Sequence, residues 1–153
     1  MKINLPFSFG RRTGYVSVGT PPCSSSDGEP RDNGNQPYAF NSKRLAEANT
    51  SRRTALWTGK HLQLTHSRLA AGEDYKPEKY EHLDRMITVT SGYGEVESES
   101  PVDGGTHRFS VSEGYSVIIP AGALHTVRNT GTLPLCFYSV YTHPVSGYGE
   151  VIK

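Results

Sequence analysis

With 153 residues and a formal net charge of +1, the chain falls in the usual one-domain range and carries no global field that would favour nucleic acid or an anionic membrane. No apolar run approaches the roughly 20 residues of a membrane span, and Pro6 breaks the apolar start before it reaches the length of a secretory signal. The two cysteines, Cys23 in a Ser/Pro stretch and Cys136 in an apolar run, offer no disulfide framework, so a cytoplasmic location is expected.

Residues 1–36 are rich in Gly, Pro, Ser, Asn and Asp and bury too little apolar surface to offset the entropy of ordering. They are expected to form a flexible N-terminal arm, with residues 15–18 a candidate strand on docking. A barrel domain over residues 37–153 follows. Residues 42–49 read as a short helix with Ser42 a possible N-cap. Beyond Asn49 the pattern is strand and turn. Residues 53–58 stop at Gly59, and residues 61–69 place Leu62, Leu64 and His66 on one face, read as inward. Residues 85–90, 95–98 and 108–111 are further strands separated by Gly-containing turns, and residues 135–141 form the last long one. Many short strands at regular spacing argue for a sandwich or closed barrel.

Between the third and last of these lies the most informative stretch, residues 114–129. Val117, Ile118 and Ile119 form a β-branched run that Pro120 ends, and Gly122 permits a sharp reversal. His125 then opens a strand on which His125, Val127 and Asn129 share one side. The spacing G-x5-P-x-G-x2-H-x3-N is matched at Gly114, Pro120, Gly122, His125 and Asn129.

That spacing resembles the second sequence motif of the cupins. A degenerate first motif, G-x5-H-x-H-x3–4-E-x6-G, registers on Gly72 and Gly92, with Glu78 and Tyr80 at the histidine positions and Arg85 at the glutamate position. Residues 53–65 and 135–141 also resemble small single-domain bacterial cupins of the cupin 2 type, often labelled as similar to mannose-6-phosphate isomerase. The resemblance implies an all-β double-stranded β-helix, a jelly-roll barrel that is usually dimeric. It also implies a metal held inside by His, His, Glu and the second-motif His.

The residues present change that chemistry. His125 and Glu78 suit a divalent transition metal, but the Tyr80 phenol ionises only near pH ~10. Arg85 carries a permanent positive charge that repels a dication. The usual metal is therefore not expected. Glu78, Tyr80, Arg85 and His125 make a candidate pocket for a small polar or anionic ligand, Arg85 offering a bidentate fork to carboxylate or phosphate. A plain Glu78–Arg85 salt bridge replacing the metal is the alternative use of the same residues. A displaced site of His66, Glu78, His82 and His125 for Zn, Mn, Fe or Ni also stays open.

Three functions follow from these alternatives. The first is a small-molecule-binding cupin, expected as a homodimer with no nucleic-acid or membrane partner. The second is a metal-dependent, sugar isomerase-like enzyme, and the third a structural or interaction protein. Whether the chain is catalytic stays open. Trp57 and the nine tyrosines read as core or interface, since no Lys/Arg pattern interleaves with them. No Ser–His–Asp arrangement or phosphate loop is present in the pattern.

Overall fold

Alternating β-branched and polar residues, punctuated by glycine turns, build eight strands in the computed structural model, which describes residues 31–34 and 36–142. In chain order they are β1 (Arg53–Thr58), β2 (Gln63–Leu69), β3 (Arg85–Ser91), β4 (Tyr93–Glu99), β5 (Thr106–Ser112), β6 (Ser116–Ile119), β7 (His125–Asn129) and β8 (Leu135–Tyr141). Among the described residues a single short helix, α1 (Ser42–Ala48), precedes them. The strands predicted over residues 53–58 and 135–141, and the one opening at His125, match β1, β8 and β7. Most of the predicted arm, with its candidate strand at 15–18, lies outside the described residues.

The strands form two antiparallel sheets ordered β1-β2-β8-β3-β6 and β5-β4-β7. Between them lies an apolar core of Leu69, Ile87, Val89, Val96, Val117, Ile119, Val127, Leu135 and Phe137. Its burial is the main stabilising term, at about 25 cal/mol per Å² of apolar surface removed from water. The arrangement is a jelly roll of the double-stranded β-helix kind. Residues 73–80 run beside β7, joined through isolated bridges at Asp74–Arg128 and Glu78–His125. Glu78 and His125 exchange both backbone bonds, at 2.8 and 2.9 Å, which ties the first motif to the second.

Two local features fix the turn geometry around this core. Gly92, at φ +87°, sits where a Cβ would lie 2.5 Å from the carbonyl oxygen of Pro134, so only glycine fits. Asn129 closes the far end of β7: its Nδ2 donates to the carbonyls of Leu69, Ala70 and Leu133, and its Oδ1 accepts from Gly131 N at 2.9 Å.

The helix is where predicted, but its cap is not Ser42. Asn41 is the N-cap, its Oδ1 accepting from Lys43 N and Arg44 N at 3.1 Å. The predicted inward face of β2 is also corrected. Leu64 and His66 do share a face, but Leu64 pairs with Val140 and His66 with Tyr138 on the outer side of the sheet. The inward row of β2 is Gln63, Thr65, Ser67 and Leu69, paired with Tyr141, Ser139, Phe137 and Leu135. A bulge in β1 between Ala55 and Trp57 shifts the outer register beside it. No described helix is long and apolar enough to cross a membrane.

Candidate functional site

The polar end of the barrel is assembled from four elements. Arg85 opens β3 and pairs with Tyr141 of β8 and Ile119 of β6, which points its side chain inward. Ser139 lies two residues before Tyr141 on the same face. His125 opens β7, Glu78 sits opposite it, and Arg53 opens β1 opposite Ser67.

Arg85 is 1% exposed, and each of its three guanidinium nitrogens is hydrogen-bonded at the centre. Nη1 donates to Glu78 Oε2 at 2.8 Å and to His125 Nε2 at 2.9 Å, while Nε and Nη2 donate to Ser139 Oγ at 3.2 and 3.1 Å. Its plane also lies over the Tyr141 ring, 5.2 Å from the centroid. Arg53 approaches Glu78 from the other side, with Nη2 2.8 and 3.0 Å from the two carboxylate oxygens. One carboxylate thus serves two guanidiniums. Burial pushes the Glu78 carboxyl up, yet Arg85 and Arg53 together hold it below its ordinary value, so it stays charged.

His125 has one possible tautomer in this setting. Its Nδ1 lies 3.0 Å from the carbonyl oxygen of Ala123, which only accepts, so Nδ1 carries the proton. Nε2 then presents its lone pair to Arg85. Burial and the adjacent Arg85 charge both lower the His125 pKa, keeping the ring neutral. Tyr80 packs against His125 and Tyr141, with ring centroids 5.8 and 5.5 Å away. Burial, then Tyr141 and Glu78, raise its phenol well above the ordinary value, so it stays protonated.

Glu78, Tyr80, Arg85 and His125, the predicted pocket residues, therefore lie together. The predicted metal set does not assemble. His66 is on the outer face, fully buried, with Nδ1 2.7 Å from Asn49 Nδ2. His82 is exposed in the bend before β3. Among the described residues no cluster of three or more His, Cys, Asp or Glu side chains could hold a metal ion.

The metal that the fold family implies does not fit these residues. The lone pair of His125 that would bind it is taken by Arg85 at 2.9 Å, and the Glu78 carboxylate is shared by two guanidiniums. A dication about 4 Å from the Arg85 guanidinium would meet a repulsion of roughly 8 kcal/mol at an effective dielectric constant near 20. Arg85 itself is the cation that gathers Glu78, His125 and Ser139.

Sequence reasoning missed Arg53 and Ser139. Neither belongs to a motif, and both enter through ladder pairing: Arg53 opposite Ser67, Ser139 opposite Thr65 and Ile87. The strand pattern of residues 53–58 and 135–141 put them on strands, but only the register shows their shared face.

Comparison with known proteins agrees with the fold. Residues 65–141 match the cupin domain model. An uncharacterized Bacillus subtilis protein, YrkC, is 36% identical over 121 residues, which is 79% of this chain and 65% of that protein's length. The crystal structure of BH2720 from Bacillus halodurans is 38% identical with a TM-score of 0.70, covering 79% of this chain and 92% of that one. TT1209 from Thermus thermophilus shares the fold at 21% identity, with a TM-score of 0.57 over 69% of this chain and 96% of that one. With its paired sheets, its second motif around His125 and these relatives, the chain belongs to the cupin family.

Proposed function

We propose that this cupin binds a small polar or anionic molecule inside its barrel without a metal. The observation that carries the reading is the charge balance at the polar end. Two guanidiniums, Arg53 and Arg85, share the single carboxylate of Glu78, and His125 is neutral, which leaves one positive charge in excess. Arg53 and Glu78 have side chains 15% and 20% exposed, so the charged group reaches solvent at the barrel mouth. The sugar isomerase-like alternative, which would use His125 with some of His66, Glu78 and His82 around one ion, is not favoured, because Arg85 occupies His125 Nε2 at 2.9 Å.

Calorimetric titration of the chelator-dialysed protein tests this, using acetate, glycerate, inorganic phosphate and the neutral polyol erythritol. At least one should bind, with no change on adding metal. Absence of binding by all four, or binding only after metal is supplied, would overturn the reading.

A homodimer is proposed as well. The outer face of the five-stranded sheet carries an apolar groove of about 520 Å³ lined by Tyr38, Phe40, Trp57, Leu62, Leu64 and Tyr138. It lies beside β1, the strand that ends the sheet among the described residues. A second copy is the occupant it suits, because a two-fold axis brings identical edges together antiparallel. Sedimentation should show a dimer, and a monomer at high concentration would reject it.

A further inference from the structure

Beside the Arg85 tie, one wall of the interior has polar atoms left over. Arg53 Nε, Thr65 Oγ1, Ser67 Oγ and Tyr141 OH are buried and have no hydrogen-bond partner among the described residues. The ladder places them close together. Arg53 pairs with Ser67, Thr65 is two residues along on the same face, and Tyr141 pairs with Gln63, two residues before Thr65. Thr65 and Ser67 are fully buried and Tyr141 is 1% exposed. A buried hydroxyl without a partner loses its hydration for no return, and folded proteins leave few of them. Valine, alanine and phenylalanine would fill the same space without that loss.

We infer that Arg53 Nε and the hydroxyls of Thr65, Ser67 and Tyr141 form a subsite for a small hydroxylated monocarboxylate. This rests on the reading that the barrel binds a small polar or anionic molecule, and it names the chemical class. The Arg53 N–H only donates, so it needs an acceptor, and the guanidinium charge makes an anionic oxygen the stronger one. The three hydroxyls both donate and accept, which suits the remaining carboxylate oxygen and the ligand's own hydroxyl groups. The single excess positive charge is neutralised by one carboxylate. A second negative charge would face Glu78 with nothing left to balance it, so a phosphate dianion is excluded. Arg85 already directs all three of its guanidinium nitrogens to Glu78, His125 and Ser139 and holds the wall in place. Arg53, Glu78 and Tyr80 are half-buried and form the side of the cluster in touch with solvent.

The test is calorimetric titration of the full chain, free of metal, with glycerate, propionate, phosphate and erythritol. Wild type, Thr65→Val and Ser67→Ala are compared, and the thermal midpoint of each ligand-free protein is recorded. Glycerate should bind best, and each variant should weaken it about five- to ten-fold, the effect of one lost hydrogen bond, while narrowing its advantage over propionate. The ligand-free variants should melt at or above the wild-type temperature, because an unpaired buried hydroxyl has been removed. Variants that bind glycerate unchanged, phosphate that binds as well as glycerate, or ligand-free variants that melt lower because structural water held those hydroxyls would each overturn the subsite alone. Failure of all four compounds to bind the wild type would instead overturn the reading beneath it.

Discussion

Glu78→Gln and Arg85→Met remove opposite members of the central pair, and the structure predicts unequal costs. Arg85→Met leaves Glu78 held by Arg53 through both oxygens at 2.8 and 3.0 Å, so its charge stays paired. What is lost is the partner of His125 Nε2 and of the Ser139 hydroxyl, two buried polar groups at roughly 1–3 kcal/mol each, partly offset by relief from burying a guanidinium. The net cost should be about 3 kcal/mol. Glu78→Gln leaves Arg85, 1% exposed, without a counter-charge and unable to shed its proton. That change belongs at the upper end of the roughly 3–5 kcal/mol for breaking a buried pair. The double variant removes the orphaned charge and should be more stable than Glu78→Gln alone, which requires a coupling of at least about 3 kcal/mol, the whole cost of Arg85→Met. Urea denaturation followed by Trp57 fluorescence measures all three. Strictly additive costs, or Glu78→Gln costing under ~1 kcal/mol, would refute the account of the pair.

Acid sensitivity follows from the buried histidines. Burial, aided by Arg68, lowers His66 from 6.5 to about 4, so between those values the unfolded chain binds the extra proton and stability falls as pH falls. The ceiling for His66 is about 3 kcal/mol at 1.36 kcal/mol per pKa unit; His125 shifts the same way, and Glu78 adds a further loss at lower pH. Denaturation midpoints across pH 4–7 check this, and His66→Gln should flatten the slope. Asn129→Asp should destabilise more than Asn129→Ala, because a carboxylate keeps the Gly131 bond but faces three carbonyls it cannot donate to; equal thermal midpoints would contradict that. Gly92→Ala should cost about 2 kcal/mol or more in urea denaturation, from positive φ and the close approach to Pro134.

Much of the architecture was legible because the punctuation residues act locally. Pro120 and Gly122 end one strand and start the next wherever they occur, so His125 could be placed from residues 114–129 alone. The helix at residues 42–48 was legible for the same reason, although Asn41 and Ser42 are both good caps and sequence does not choose between them. The face of β2 was not legible. Residues 63–67 are buried on both sides, the inner by the core and the outer by α1 and the chain before it, so alternation shows two faces without saying which is inside. This put His66 in the barrel. The site was half legible: Glu78, Tyr80, Arg85 and His125 follow from motif spacing, whereas Arg53 and the hydroxyl wall depend on register between strands far apart in sequence.

The most direct test of a guanidinium in place of a metal is elemental analysis of the protein purified without chelator or added metal, beside Arg85→Glu. Wild type should carry well under one equivalent of Zn, Mn, Fe or Ni per chain. Arg85→Glu should take up more, because a ligand replaces the repelling charge next to His125 and Glu78, and the gain should be partial with Tyr80 still in a ligand position. One equivalent of metal in the wild type, lost in His125→Ala, would contradict the account.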